Sequence, residues 1–367
     1  MNTNPITATA EEIRAYNSRL LEGIEFQADD FELAGNTGHH IDKAYEARPY
    51  WKDVLHVFLK NKGSIAAFFV IIFIIVMAIA GPMVSGYTYD AQIIQHQNLA
   101  PRMQATENLG IFDGSERIST STGKTTVNKY ISTDGTETGL ENTYYWFGTD
   151  VLGRDIFTRT WMGTRISLYI ALVAVLVDMC FGMSYGLISG YFGGKVDMVM
   201  QRFAEILNGI PTLVIVTLLL LVMKPGLGTI TLALAITGWI GMSRISRAQV
   251  LKLKEQEFVL ASKTLGARDF YVIFREILPN IFGQLIIMSM FSIPNAIFTE
   301  AFLAFIGLGV PAPLASLGSL ISDAFKSFTT HPYMIIPPVV VLALIMLSFN
   351  MFADGLRDAF DPTMKEM

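Results

Sequence analysis

The sequence predicts an all-α integral membrane protein with six transmembrane helices. Of its 367 residues, 51% are hydrophobic and only 16% are charged, whereas soluble domains carry about 25% charged residues. The apolar residues are also gathered into charge-free windows, and crossing the hydrocarbon layer takes about 20 helical residues. The net charge of −5 argues against nucleic-acid binding. Together these observations place the chain in a lipid bilayer.

Six charge-free windows are the predicted spans. They lie between Lys62 and Asp90, from about Arg165 to Tyr191, between Glu205 and Lys224, between Lys224 and Arg244, from Pro279 to about Ala304, and between Lys326 and Asp354. An even number of spans puts both termini on the same side of the membrane.

The distribution of lysine and arginine predicts which side that is, because cytoplasmic segments are enriched in both. Basic residues cluster before the first window and between the fourth and fifth windows, so both regions are predicted to be cytoplasmic. The predicted order is a cytoplasmic arm with an amphipathic elbow helix (1–62), a first span (63–86), an extracytoplasmic loop (87–160), a five-helix core (161–354) and a cytoplasmic tail (355–367).

Two segments outside the spans are patterned. PYWKDVLHVFLKNK predicts an amphipathic helix at the inner membrane surface, since one helical face carries Trp51, Val54, Leu55, Phe58 and Leu59. ERISTSTGKTTVNKYIST joins two β-rich runs through a polar turn, which predicts a β-hairpin. A mobile loop rich in Ser, Thr and Gly is the alternative for the second segment, and both interpretations stay open.

The sequence contains no recognisable catalytic apparatus. STGKTT lacks the residues that precede the Gly-Lys pair of a phosphate-binding loop. The five histidines and the single cysteine, Cys180, show neither metal-ligand spacing nor a triad. We therefore predict a chain that is not an enzyme and holds no cofactor of its own.

A charged stretch, EQEFVLASKTLGARDFYVIFREILPNI, interrupts the apolar windows from position 255 to 281. Glu257 opens a short predicted helix and Lys263 lies in its last turn, which suits the helix dipole. Gly266 is placed to end that helix in a left-handed conformation. A small, modestly apolar face suited to resting on another protein comprises Phe258, Ala261, Ser262 and Leu265. An ordinary loop lying on the membrane is the alternative.

The second half of this stretch predicts another short amphipathic helix. Asp269 is its predicted cap, and Pro279 is placed to begin the fifth span. The predicted apolar stripe consists of Phe270, Ile273, Phe274, Ile277 and Leu278. Two short helices joined by a glycine turn would form a stiff unit between two spans.

EFVLASKTLGARDFYVIFREILPNI resembles the EAA signature of permease subunits of ABC importers, with Ser262 rather than Ala as its second small residue. Three further stretches are similar to the dipeptide/oligopeptide branch: FGTDVLGRDIFTRTWMGTRISL, EAFLAFIGLGVPAPLASLGSLISDA and FADGLRDAFDP. Leu317 stands where that branch usually has Trp. The resemblance covers about residues 145–362 and the first span, and its order is most like the C-type subunit of an oligopeptide permease. The insert at about 100–145 and the acidic N-terminal arm lie outside it.

This resemblance implies the type I ABC importer permease fold, with the segment 255–280 as a coupling helix docked in a groove of a separate cytoplasmic ATPase. The coupling residues it implies are Glu257, Phe258, Ala261, Ser262, Leu265, Gly266 and Pro279. It also implies four kinds of partner: a homologous second permease subunit, two ATPase subunits that bind ATP and Mg, an extracytoplasmic substrate-binding protein, and the lipid bilayer.

The implied function is a non-catalytic permease subunit of an ATP-driven oligopeptide importer in a prokaryotic plasma membrane, with both termini cytoplasmic. Dipeptides, nickel complexes and glutathione are alternative cargoes within the same family. Two other classes of protein stay open: a secondary transporter, which would need an ion-coupling site, and a peptide sensor.

Three residues in the spans are candidates for the pathway or the gate: Asp178, Pro294 and Glu300. Each has a structural alternative. The Asp178 carboxyl group is neutralised by a proton or a local hydrogen bond, Pro294 shapes the bundle, and Glu300 packs at an interface. The charged residues of GTDVLGRD either position the start of the second span through ion pairs or contact a binding protein.

Overall fold

The computed structural model describes residues 50–120, 123–131 and 138–360. Within these ranges, five helices are long and apolar enough to cross a membrane, and a bent pair of shorter helices supplies a sixth segment. The predicted helical membrane fold is confirmed, and it has six spans if the bent pair counts as one. Most of the predicted N-terminal arm and the end of the predicted tail lie outside the described residues.

Apart from the long loop between α2 and α3, the helices follow one another with short connections. Their bounds are α1 (Tyr50–Phe58), α2 (Lys62–Val84), α3 (Ile156–Phe192), α4 (Gly194–Asn208), α5 (Thr212–Val222), α6 (Leu227–Leu253), α7 (Glu257–Thr264), α8 (Asp269–Leu308), α9 (Leu317–Phe325) and α10 (Ile336–Phe360). Helix α3 contains a π-helical stretch over Asp178–Gly182, and α8 contains one over Val272–Ile277 and another over Ala304–Leu308.

The predicted elbow helix is present as α1, which packs against the last helix. The Phe58 ring meets the Phe352 ring edge-on at a centroid distance of 5.4 Å, and Val54 is buried. Leu55 and Leu59 remain more than half exposed. The helix is confirmed, while its place at the membrane surface stays a prediction.

The long loop between α2 and α3 contains the predicted hairpin. Strand β1 (Ser115–Thr120) pairs antiparallel with β2 (Gly123–Asn128). The hairpin is tied to the turn before α10, because His331 Nδ1 lies 2.8 Å from Glu116 Oε2. The loop is therefore folded and attached to the helical bundle.

A small aromatic core holds the rest of this loop. Tyr130 is fully buried and packs with Leu99 and Tyr145. The guanidinium of Arg102 lies over two rings, 5.1 Å from the centroid of Tyr130 and 4.8 Å from that of Tyr144. These cation–π contacts add to the ion pair of Arg102 Nε with Glu107 Oε2 at 2.9 Å, and together they hold the arginine within the loop.

Helices α3 and α6 approach each other closely along a line of glycines, Gly182, Gly186 and Gly190. A methyl group at Gly182 would stand 2.6 Å from the carbonyl oxygen of Trp239, and one at Gly190 would stand 2.9 Å from that of Arg247. Glycines four residues apart let helix backbones touch in a membrane. No larger side chain fits along this line without moving one helix.

The third predicted span is wrong as a single helix. Helices α4 and α5 meet at 76° across a break between Asn208 and Thr212. Pro211 sits in this break with ψ 131°, outside the helical range, and the residue before a proline disfavours the helical conformation. The 11 residues of α5 span about 16 Å, roughly half of the hydrocarbon thickness of about 30 Å.

Two other helices extend beyond the charge-free windows. Helix α3 begins at Ile156, where Asp155 caps it, rather than near Arg165 or at the predicted core boundary of 161. Helix α6 continues past Arg244 to Leu253. A charge-free window marks only the part of a helix that suits the apolar layer of the membrane. The helix itself continues beyond that window into water.

The predicted second short helix and fifth span form one continuous helix, α8, and Pro279 lies inside it rather than at its start. The proline directly follows the π-helical stretch Val272–Ile277. This wider turn changes the spacing of the apolar residues, so the predicted stripe is wrong in part. Ile273 and Ile277 are buried with Val272, while Phe270 and Phe274 are exposed.

Candidate functional site

The turn after α7 has the conformation that the sequence predicts. Gly266 has a φ of +84°, and its N–H donates to the Lys263 carbonyl oxygen at 2.9 Å. The N–H of Ala267 donates to the Ser262 carbonyl oxygen at 3.1 Å. These two bonds form a Schellman motif, which satisfies the last carbonyl groups of a helix. The turn between α7 and α8 is therefore hydrogen-bonded internally.

One side of α7 is anchored to the bundle through Val259, which is fully buried. Val259 belongs to a cluster with Leu187 of α3, Val250 of α6 and Ile273 of α8. Val259 is not among the residues predicted from the sequence, although it is the β-branched residue directly beside the predicted face. Three helices hold α7 in place through this contact.

The opposite side of α7 is largely free. Phe258 and Ala261 are exposed, and Leu265 is 89% exposed. Ser262 is half-buried, so it turns toward the chain rather than joining this surface. Glu257 lies exposed in the first turn. The structure thus leaves a short apolar surface on a firmly held helix.

Tyr191, near the end of α3, contacts both sides of the glycine turn. Its hydroxyl donates to Asp269 Oδ1 at 2.8 Å, and the Lys263 ammonium lies 4.4 Å from the centre of its ring. Tyr191 itself is buried. Tyr191 could not be selected from the sequence, because nothing local to GYFGG indicates which segment its ring contacts. We call the three residues Tyr191, Lys263 and Asp269 the tyrosine clamp.

Charged groups on α6 join the neighbouring helices beside α7. Arg247 donates two hydrogen bonds of 2.6 Å to the carboxylate of Asp197 on α4. Ser189 of α3 also donates to Asp197, at 2.5 Å. The ammonium group of Lys254 donates to the Gly190 carbonyl oxygen at 3.1 Å. Helices α3, α4 and α6 are thereby linked at the end of the bundle that carries α7.

Two of the candidate pathway residues lie near each other. Asp178 is buried in the π-helical stretch of α3, and its carboxyl group meets the hydroxyl of Ser292 on α8. Ser292 lies two residues before Pro294, which is buried inside α8. The structure therefore brings the irregular part of α3 against the proline-containing part of α8.

Glu300 lies two helical turns beyond Ser292 and does not join Asp178. It is 1% exposed, and Ser167 of α3 donates to its Oε2 at 3.3 Å. Its Oε1 has no hydrogen-bond partner among the residues that the structure describes. Enclosure between α3, α8 and the start of α9 favours the packing interpretation over a contact with cargo.

The charged residues of GTDVLGRD position the start of α3. Arg154 Nε donates to Asp150 Oδ2 at 2.6 Å, and Asp155 accepts from the N–H of Thr158 at 2.9 Å as the helix cap. Burial raises the pKa of Asp155, while its hydrogen bonds from Thr158 act in the opposite direction. The observed contacts support the structural interpretation of this motif.

Two family models match the chain. Residues 182–366 match the binding-protein-dependent transport system inner membrane component. Residues 49–101 match the N-terminal TM domain of oligopeptide transport permease C. The two matches together include the first span and the helices from the second half of α3 onward.

Curated relatives are similar over nearly the whole chain. The chain is 40% identical over 333 residues to the oligopeptide transport system permease protein OppC of Bacillus subtilis, covering 91% of this chain and 96% of the relative. It is also 40% identical over 317 residues to the dipeptide transport system permease protein DppC of the same organism, covering 86% and 87%. Among solved structures, the inward-facing MetNI methionine ABC transporter is similar with a TM-score of 0.47 and 15% identity, over 55% of this chain and 97% of that one.

Proposed function

This chain belongs to the family of binding-protein-dependent transport system inner membrane components, and on that premise we propose that it imports oligopeptides as one of two permease subunits. It is a multi-pass, non-catalytic permease of an ABC peptide importer. The relatives named for oligopeptides and for dipeptides are equally similar to it. What favours oligopeptides is the match of residues 49–101 to the N-terminal domain of an oligopeptide permease.

The proposed complex contains a homologous second permease subunit, two cytoplasmic ATPase subunits and an extracytoplasmic substrate-binding protein. The ATPases bind ATP and Mg, and this chain contributes half of the translocation pathway. We place both termini in the cytoplasm and the loop 87–160 outside. The clusters of lysine and arginine support this orientation.

The observation that carries the coupling proposal is α7 itself. It is held on one side by buried Val259 and exposes Phe258 and Leu265 on the other. A short apolar surface on a firmly held helix suits docking in a groove of an ATPase. The proposed coupling residues are Glu257, Phe258, Ala261, Ser262, Leu265, Gly266 and Pro279.

We also propose a role for the π-helical stretch of α3 and the proline-containing part of α8. Asp178 and Pro294 are proposed to lie at the gate, because a π-helical stretch and a proline meet there. Both features weaken regular helical hydrogen bonding and are frequent where helices bend. Glu300 stays a proposed gating residue because its Oε1 has no hydrogen-bond partner among the residues that the structure describes.

Reconstitution tests this function. The permease pair, ATPases and binding protein are placed in proteoliposomes, and uptake of labelled tetra-alanine and di-alanine is measured with ATP and with a non-hydrolysable analogue. We expect ATP-dependent accumulation that a protonophore does not reduce, with the tetrapeptide preferred. Uptake driven by an ion gradient without ATP would identify a secondary transporter. Binding without accumulation would identify a sensor, and preference for the dipeptide would reassign the cargo.

A further inference from the structure

A cavity of about 340 Å³ lies between the first turns of α3, the segment before it, helix α9 and the start of α10. Ile156, Leu320 and Met334 form part of an apolar wall. The guanidinium of Arg159 lines the polar part. The cavity therefore offers charged groups, Arg159 among them, beside apolar surface.

Arg159 is buried but incompletely hydrogen-bonded. It is 3% exposed, and its Nη1 donates to the Tyr89 carbonyl oxygen at 3.2 Å. Its Nε has no hydrogen-bond partner among the described residues, and Asp150 Oδ2 lies 3.7 Å away. A guanidinium has five N–H donors in a fixed plane. Burying such a group without acceptors is unfavourable, so this arginine is suited to receive one.

Asp150 does not serve as that acceptor, because other donors already occupy it. Its Oδ2 accepts from Arg154 Nε at 2.6 Å. Its Oδ1 accepts from the backbone N–H groups of Leu152 at 2.9 Å and Arg154 at 3.0 Å. The carboxylate is therefore held by the loop before α3 and is not free to approach Arg159 more closely.

The charges around the cavity favour an anion. Three cationic side chains line it, those of Arg154, Arg159 and Lys326, against two carboxylates, those of Asp150 and Asp323, which gives 3 − 2 = +1. Lys326 and Asp323 pair at 3.2 Å with both side chains more than half exposed, so they are screened by solvent. The buried positive charge of Arg159 is therefore the main reason that the cavity favours an anion.

We propose that this cavity binds the carboxylate end of a peptide and that Arg159 is its carboxylate-binding group. An arginine fork pairs with a carboxylate through two parallel hydrogen bonds, and the apolar wall suits the last side chain of a peptide. The volume lies in the range of small-ligand pockets, about 300–1,000 Å³, and exceeds what a single acidic side chain of a docked protein fills. The peptide cargo and the outward position of the cavity both rest on the proposed function.

The test uses the complete permease pair with its ATPases in lipid nanodiscs, without the binding protein. Binding of tri-alanine is compared with binding of its C-terminal amide by calorimetry. We expect the free acid to bind more tightly by on the order of tenfold, the ratio that one charge-assisted pair supplies. Arg159→Lys, which keeps the charge but loses the fork, is expected to remove most of that preference.

Two further variants guard against loss of folding and against non-specific charge effects. Ala324→Leu fills the cavity from α9 without altering Arg159, and we expect it to weaken binding of both peptides. Arg202→Lys is the matched control, since Arg202 lies on α4 in an exposed pair with Glu205. That control is expected to bind tri-alanine as the unmodified complex does.

Equal binding of acid and amide by the unmodified complex would overturn the proposal. It would also be overturned if Arg159→Lys kept the full preference for the acid and Ala324→Leu bound both peptides as tightly as the unmodified complex. If Arg159→Lys instead releases a co-purified anionic lipid while acid and amide bind alike, the cavity is a lipid site. Failure of the proposed function has a different signature. The unmodified complex would then show no ATP-driven peptide uptake in proteoliposomes, whatever its preference for the acid.

Discussion

Arg165 on α3 donates to the carbonyl oxygen of Ala78 on α2, from Nε at 3.1 Å and from Nη2 at 2.9 Å. In a regular helix that carbonyl accepts from the N–H four residues later, and this residue is Pro82, which has no N–H. Arg165 therefore replaces the donor that the proline removes. An arginine within an apolar span is explained by this backbone contact, because unpaired backbone groups are costly in a bilayer.

Replacing this arginine should destabilise the contact between α2 and α3. Arg165→Met leaves the Ala78 carbonyl without a donor, and we expect a loss of about 1–3 kcal/mol. The measurement is thermal unfolding of the purified permease in detergent. Pro82→Ala restores the helical donor, so adding Arg165→Met to that variant should cost much less. The same loss in both backgrounds would contradict the explanation.

A β-branched residue at position 266 should impair coupling without unfolding the bundle. Gly266 has a φ of +84°, and valine at positive φ is strained by about 1–3 kcal/mol. We expect Gly266→Val to insert and pair normally but to transport poorly, with ATP hydrolysis no longer stimulated by peptide. Transport and ATPase activity are measured in proteoliposomes that hold equal amounts of complex.

The matched control for that variant is Gly266→Asn, because asparagine adopts left-handed conformations far more readily than valine. We expect it to retain most of the transport activity. Wild-type behaviour of Gly266→Val, or equal loss in both variants, would mean that the conformation of this turn does not matter for coupling.

Weakening the tyrosine clamp should reduce the peptide transported for each ATP hydrolysed. Tyr191→Phe removes the hydrogen bond to Asp269, worth about 1 kcal/mol, and keeps the ring beneath Lys263. Tyr191→Leu removes both contacts, so a larger reduction is expected. Tyr169→Phe on the exposed side of the same helix is the control. A clamp with only a structural role would lower the yield of assembled complex and leave this ratio unchanged.

Cysteine labelling tests the orientation. In a Cys180→Ala background, a cysteine is placed at Thr126 of the hairpin or at Thr264 of α7, both exposed positions. An impermeant maleimide should label the first in intact cells and the second only after the cells are opened. The reverse pattern would invert the proposed sides of the membrane.

Shortening the hairpin should leave the ATPase contact intact. Glu116 and Val127 face each other across the strands, so residues 117–126 can be replaced by Asn-Gly, the pair favoured in two-residue hairpin turns. This shorter loop keeps the contact between Glu116 and His331 and the buried Tyr130. We expect the ATPases to co-purify with the permease as before. Their loss from an intact permease pair would show that the loop acts at the other face.

The features predicted correctly from the sequence depend on local patterns. Charge-free windows located the spans because lipid excludes charge along the whole segment. Gly266 was placed correctly because helix ends favour a residue that tolerates positive φ. The hairpin followed from two β-rich runs around a polar turn. None of these inferences required knowledge of which segments touch.

The features that were missed depend on contacts between distant segments. Tyr191 is 78 residues from Asp269, and its role emerges only when α3 and α8 are side by side. The exposed position of Phe274 reflects the π-helical stretch that contains it, which no regular periodicity predicts. A kink at Pro211 follows from the proline itself, but the window around it stays apolar on both sides, so the 76° angle between α4 and α5 could not be predicted.

The glycine line between α3 and α6 has a mechanical consequence. Two helices whose backbones touch at Gly182 and Gly190 have no layer of side chains between them that can slide. We therefore expect α3 and α6 to move together as one rigid unit. A displacement of α7 is then expected to move both helices together, and bending to fall on segments without such contact. Such segments include the break at Pro211, the part of α8 around Pro294, and Gly307 with its φ of +92°.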